Sequence, residues 1–123
     1  MTDLSKDIGD FFSQASLSDW LEVSEGALAK RVEKHQMIGC KTSDGHWLYP
    51  TFQFTDAGDI VPGVAEVLGV LLEHLEPWAA ARWFVVPSPD LPGEVSAIQW
   101  LTQGGDPALV IIEARRDAER LSH

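Results

Sequence analysis

Residues 23–50 read VSEGALAKRVEKHQMIGCKTSDGHWLYP, and a change of rhythm inside this stretch decides the fold. Ser24 has the side chain of a helix N-cap, and Glu25 suits the positive end of the helix that would follow. Over about Glu25 to Gln36, Ala27, Leu28 and Val32, with Ala29 beside them, supply an inward face at helical spacing. Lys30, Arg31 and Lys34 fall mostly on the other side. From Met37 the pattern turns to strand. Met37 to Lys41 and His46 to Tyr49 flank Ser43-Asp44-Gly45, and Asp-Gly between two such runs signals a hairpin because both positions tolerate positive φ. Pro50 closes the second strand.

Working outward, Leu4, Ile8, Phe11, Phe12 and Ala15 predict an amphipathic first helix. A second, short helix is predicted over Leu17 to Glu22, with Ser16 or Ser18 as its cap. Two short helices across a tight turn, the second presenting Lys and Arg and leading into a hairpin, follow the order of a winged helix-turn-helix. Downstream, Thr51 to Asp59 reads as a turn-rich link. Pro62 opens a helix with Val64, Val67, Leu68, Leu71, Leu72 and Leu75 on one face, and Pro77 opens another with Trp78, Ala81 and Trp83. Further helices are predicted over about Val95 to Gln103 and from Asp106-Pro107 onward, separated by Gly104-Gly105. The expected fold class is mainly α with a small β-hairpin. Its organisation is a winged helix-turn-helix-like part over residues 1–55 and a helical partner-binding module over 56–123.

Hydrophobic residues form 45% of the 123, enough for a real core and against disorder. No signal peptide or membrane span is read, and the single Cys40 suits a reducing compartment, so a cytoplasmic location is expected. The net charge of −10 argues against a broad nucleic-acid surface. It is unevenly spread: residues 51–123 carry four Lys/Arg against eleven Asp/Glu, whereas four of the nine cations fall between Lys30 and Lys41. Any DNA contact must therefore be local.

The DNA-contacting candidates are Ser24, Ala27, Lys30, Arg31 and Lys34, with Lys41 and His46 from the wing. Long cations reach phosphates or guanine edges, and Ser24 can donate to a phosphate at the helix start. Each cation taken singly reads better as a solvated surface charge. The grouping beside a turn and a hairpin is what points to DNA. Among five Trp residues, Trp20 and Trp83 are expected in the core and Trp47 on the hairpin. Trp78 and Trp100 lie in the acidic half, where a partner surface could use them as anchors. No motif of nucleophilic, phosphate-binding or metal chemistry appears, and Asp56-x-x-Asp59 lacks the ligands of a calcium loop. No catalytic residue, metal or cofactor is assigned, and the chain is read as a non-enzyme.

The order of motifs resembles bacterial antitoxins of the Xre/MbcA/ParS type. The residues that carry it are Val23-Ser24, Asp44-Gly45, Tyr49-Pro50-Thr51-Phe52-Gln53-Phe54, Ile60-Val61-Pro62-Gly63, Trp83-Phe84, Leu91-Pro92-Gly93 and Ala97-Ile98-Gln99-Trp100-Leu101 before Gly104-Gly105. The family's Ser/Thr-Pro pair after the L-x-G turn is replaced here by Glu94-Val95. The resemblance implies an antitoxin that neutralises a RES-type toxin, an NAD-degrading enzyme, through its C-terminal region. It also implies autoregulation by binding operator DNA and assembly as a homodimer. Arg115, Arg116 and Arg120 of the last helix are the further partner-binding candidates, and they equally complement the helix dipole. The alternative is a solitary dimeric transcriptional regulator without a toxin. A third reading, an enzyme or small-ligand receptor in the tail, has no residues to name.

Overall fold

The computed structural model describes residues 8–121. It is mainly helical with one small antiparallel sheet, as the sequence patterning predicts. The elements in chain order are β1 (Phe11–Ser13), α1 (Gln14–Leu21), α2 (Glu25–Glu33), β2 (Cys40–Lys41), β3 (Trp47–Pro50), a 3-10 turn (Thr51–Gln53), α3 (Val64–Leu71), α4 (Pro77–Val85), a second 3-10 turn (Pro92–Glu94), α5 (Ala97–Thr102) and α6 (Pro107–Leu121).

The expected first helix is corrected over its described part. Phe11, Phe12 and Ser13 are a strand paired with Pro50, Tyr49 and Leu48, so β3 lies between β1 and β2. The helical spacing loses because β3 would otherwise leave an open edge, and pairing satisfies its backbone groups. Leu4 lies outside the described residues. The cap of α1 is Ser13, whose hydroxyl accepts from the Ser16 amide, rather than Ser16 or Ser18.

Ser24 caps α2 as expected, accepting from the Ala27 amide at 3.0 Å. The helix ends at Glu33, three residues earlier than the apolar spacing suggests. Lys34 is its C-cap, and His35 takes a left-handed turn at φ 59° that swings the chain towards the sheet. The predicted strand Met37–Lys41 shortens to Cys40–Lys41. Met37 and Ile38 are buried, and the backbone of Ile38 pairs instead with the Gln53 side chain. Its amide donates to Gln53 Oε1 at 2.6 Å, and its carbonyl accepts from Gln53 Nε2 at 2.9 Å.

Two apolar clusters hold these elements. The smaller is built on Leu17, Leu28, Met37 and Tyr49, with Val32, Trp47 and Phe54 at its margin, and seats α1 and α2 on the hairpin. The larger gathers Val64, Val67, Leu68, Leu71, Phe84, Leu101 and Val110 from the helical half. It also takes in Ile8, Ile38 and Cys40, so the apolar interior crosses residue 55 without a break. Trp20 is not core: it is 42% exposed and stacks on Phe12 at 5.2 Å, because Leu17 holds the inward position of a two-turn helix.

Gly63 precedes α3 with φ 98°, and a Cβ there would lie 2.9 Å from Leu101 Cδ2. Both the left-handed backbone and the close approach of α5 require glycine. Cys40 is fully buried. Burial first, and the negative charge of Glu76 second, push its thiol from an ordinary value of 9.0 up to about 12. A thiol reagent at pH 8 is therefore expected to label Cys40 only after denaturation, since the thiolate is the nucleophile. The unfolded thiol ionises above about pH 9 while the folded one stays protonated up to about 12. Stability is thus unaffected below pH 9 and falls above it, by ~1.4 kcal/mol per pH unit from this group. Labelling in native buffer within minutes would contradict the packing.

Candidate functional site

The outward face of α2 is set by which of its residues the smaller cluster claims. Leu28 is fully buried, and Ala27, Arg31 and Val32 are half-buried, Val32 against the smaller cluster. Gly26, Ala29, Lys30, Glu33 and the capping Lys34 are exposed. Two expectations change accordingly. Ala29, expected beside the inward face, points out; Arg31, counted with the outward cations, lies on the flank. Small side chains at Gly26 and Ala29 leave the middle of the exposed face low, with Lys30 and Lys34 rising beside it.

The hairpin is fixed to this helix at Gly39. A Cβ there would fall 2.7 Å from Val32 Cγ2 and 3.1 Å from Tyr49 Cε1, so the absent side chain is what lets α2 and β3 approach. Within the hairpin, the Thr42 hydroxyl donates to the Asp44 carboxylate and accepts from the His46 amide at 3.0 Å. The Thr42 bond, reinforced by nearby His46, holds the exposed Asp44 carboxyl below the usual carboxylate range. His46 Nε2 lies 3.7 Å from Asp44, and Lys41 Nζ stands 5.9 Å from the centre of the Trp47 ring. Lys41 and His46 are both exposed on the hairpin beside α2. Of the seven DNA-contacting candidates, Lys30, Lys34, Lys41 and His46 are therefore accessible, Ser24 is accessible with its oxygen already accepting one bond, and Ala27 and Arg31 are half-buried. Glu22, Glu25 and Glu33 are exposed nearby.

The partner-binding candidates do not gather in one place. Trp78 is half-buried against Phe11 and donates to the Lys41 carbonyl at 3.1 Å, joining α4 to the sheet. Trp100 lies across Gly105 and donates to the Asp106 carbonyl at 3.0 Å, so it closes the α5–α6 turn. Arg115, Arg116 and Arg120 are exposed on α6; Arg116 pairs with Asp90 at 3.1 Å and Arg120 with Asp117. Trp83, expected in the core, is half-buried at its edge with its indole N–H donated to Asp117 Oδ2 at 2.7 Å. Sequence reasoning missed an exposed apolar pair on α6, Leu109 and Ile112, at 42% and 59% exposure. Their spacing of three residues is a readable signal, since it puts both on one face of the helix.

Sequence reasoning also missed a cavity of about 400 Å³ between α4, the Pro87–Asp90 loop and α6. Ser88 and Glu113 are both buried on its wall, and the Ser88 hydroxyl donates to Glu113 Oε1. No local motif announces this pair, because 25 residues separate its members. Among the described residues, no group of His, Cys, Asp and Glu is arranged to hold a metal, and no helix is long and apolar enough to cross a membrane.

No family model and no curated protein matches the chain. Among solved structures, it is similar to the NMR structure of Rv2175c, with a TM-score of 0.72 over 89% of this chain and 81% of that one. The two are 17% identical. The likeness is one of fold.

Proposed function

We propose that the chain is a DNA-binding regulator, in which α1 and α2 form a helix-turn-helix and the β2–β3 hairpin its wing. The observation that carries this reading is the outward face of α2. It is low at Gly26 and Ala29, edged by Lys30 and Lys34, and flanked by a hairpin bearing Lys41 and His46. A major groove accepts a helix whose middle is unobstructed, while cations at its edges meet the phosphate walls. The hydroxyl of Ser24 accepts from the Ala27 amide and keeps its own proton for a phosphate oxygen. The acidity of the other half opposes any wider contact, so affinity rests on a few cations and falls steeply with salt.

The test is fluorescence anisotropy on duplex DNA from upstream of the gene and on a scrambled duplex, over a series of salt concentrations. A tighter complex with the upstream duplex and a negative slope of log K against log salt are expected. Absence of binding at low salt overturns the reading.

A second reading, the antitoxin, is favoured by Leu109 and Ile112. An exposed apolar pair on the last long helix is a natural seat for a protein, either a RES-type toxin or a second copy of the chain. Ile112→Glu separates these. Light scattering reports a dimer falling to a monomer if the seat is self-association. If the seat is for a toxin, coexpression reports loss of a copurifying product of the neighbouring gene. An unchanged mass together with unchanged copurification removes the seat.

A further inference from the structure

Among the described residues, the large apolar side chains left exposed are Trp20, Val86, Leu109 and Ile112, and Trp20 alone of these is aromatic. Its indole is held in place. Phe12 stacks on it at 5.2 Å, and Phe54 meets it nearly edge-on at 5.7 Å. Gly58 closes the rim. A Cβ there would lie 4.0 Å from Trp20 Cη2 and Cζ2 and 2.9 Å from Leu21 Cδ2, so the missing side chain lets the loop of residues 55–59 come up against the indole. That loop is tied at its base by the pairing of Phe54 with Ile60, and the Thr55 amide donates to the Asp59 carbonyl at 2.7 Å. A part-exposed indole held this way is apolar area already ordered, which a partner can cover at little entropic cost.

We propose that this aromatic patch docks an arginine-bearing segment of a partner protein, with the guanidinium over the Trp20 indole and its N–H groups donating to carboxylates around it. The patch is the docking surface, and charge selects its occupant. Asp56 and Asp59 stand on the loop beside the indole, and Asp19 and Glu22 on α1 and at its C-cap. All four are exposed, and among the described residues none is paired with a cation. No Lys or Arg occurs from residue 7 to 29 or from 42 to 81, the two segments that build the patch. A phosphate backbone is repelled there, which sets base stacking aside. A second copy joined by a two-fold axis would bring the same carboxylates against one another. Arginine fits better than lysine, because its flat guanidinium stacks on an indole and reaches carboxylates bidentately. The reading uses no residue of α2 or of the β2–β3 hairpin, so it holds or fails apart from DNA binding.

The probe is acetylated tetra-arginine amide, titrated at low salt into the full-length 15N-labelled chain and followed by amide and indole NMR signals. The Trp20 indole signal is the one absent from the Trp20→Leu spectrum. Saturable shifts of that indole and of the Gly58 and Asp59 amides are expected, with half-saturation on the order of 1 mM for so short a peptide. Tetralysine, of equal charge, should bind roughly threefold more weakly, and Trp20→Leu should weaken tetra-arginine by a similar factor. Asp56→Asn with Asp59→Asn removes two exposed charges and should weaken it roughly fivefold. Glu66→Gln with Glu73→Gln removes two exposed charges elsewhere and should leave it unchanged. Should Trp20→Leu lose its dispersed spectrum, the tetralysine comparison and the two charge variants decide. Equal losses in the two charge variants would reveal diffuse attraction to an acidic chain, and equal binding of tetralysine would leave the indole no part. Either result overturns the proposal, as do shifts that do not saturate. A Trp20 indole that shifts with protein concentration alone, or with single-stranded DNA, also overturns it, in favour of a second copy or of base stacking.

Discussion

Replacing Gln53 by leucine is expected to lower the stability of the fold by about 3–5 kcal/mol, although Gln53 touches no candidate functional residue. Its side chain is fully buried and makes three bonds: it accepts from the Ile38 amide and donates to the carbonyls of Ile38 and Pro50, the last at 3.1 Å. In effect a side-chain amide stands where a neighbouring strand would be, pairing both backbone groups of a residue that α2 and β2 leave between them. Leucine fills nearly the same volume and satisfies none of the three. Each buried donor or acceptor left without a partner costs about 1–3 kcal/mol, so three cost at least about 3 kcal/mol, and the burial of an apolar side chain in place of the amide offsets the upper part of that sum. In urea, with a slope of about 2 kcal/mol per molar, the midpoint should drop by roughly 2 M. Gln53→Glu should fare no better, because it keeps the acceptor for Ile38 and loses both donors. A loss below about 1 kcal/mol would mean that water replaces the amide, and that the segment between α2 and β2 is held by packing alone.

The role of Gln53 also marks where the sequence stops being readable. Helix starts are local events, and their signals were plain: Ser24 at the start of α2, Pro77 at the start of α4, and Asp106, whose carboxylate accepts from the Ala108 amide at 2.9 Å. The hairpin at Asp44-Gly45 was equally legible, although the turn spans the three residues Ser43, Asp44 and Gly45 and only Gly45 takes the positive φ, at 89°. The reciprocal bonds between Ser96 and Gln99 at the start of α5 form a capping box that the spacing Ser-x-x-Gln offered and that went unread. Strand β1 was hidden for a different reason. Its partners are nearly forty residues away, and nothing within Phe11–Ser13 distinguishes an edge strand from a helical turn bearing two Phe. Glu113 and Ser88 were hidden for the same reason, since only the docking of α6 against the Pro87–Asp90 loop brings them together. The candidate face of α2 was legible in kind but not in detail. The hydrophobic periodicity placed the cations outward as a set, and the actual rotation of the helix about its axis, fixed by Leu28 and Val32, took Arg31 partly out of it.

That rotation makes an unequal prediction for the cations of α2. Lys30→Ala and Lys34→Ala together should weaken binding to duplex DNA about 100-fold near 0.05 M salt, and should reduce the slope of log K against log salt by about 2. The arithmetic follows from counterion release. Each phosphate contact contributes about 0.9 to the slope, and extrapolated from the 1 M reference to 0.05 M this is about tenfold in affinity per contact. Arg31→Ala alone should change the slope by less than one, because Arg31 is half-buried on the flank rather than raised at the edge. Glu33 stands on the exposed face among the cations, and its charge opposes phosphate approach. Glu33→Gln should therefore strengthen binding to the scrambled duplex. If it weakens binding to the upstream duplex at the same time, Glu33 accepts a hydrogen bond from a base, as a carboxylate does from cytosine N4. Anisotropy titrations of the three variants against both duplexes measure all of this in one series. An equal slope for the wild-type chain and the Lys30/Lys34 double variant would make these lysines ordinary solvated charges. The helix would then be a surface helix of an acidic protein, and the α2 reading would have nothing left to rest on.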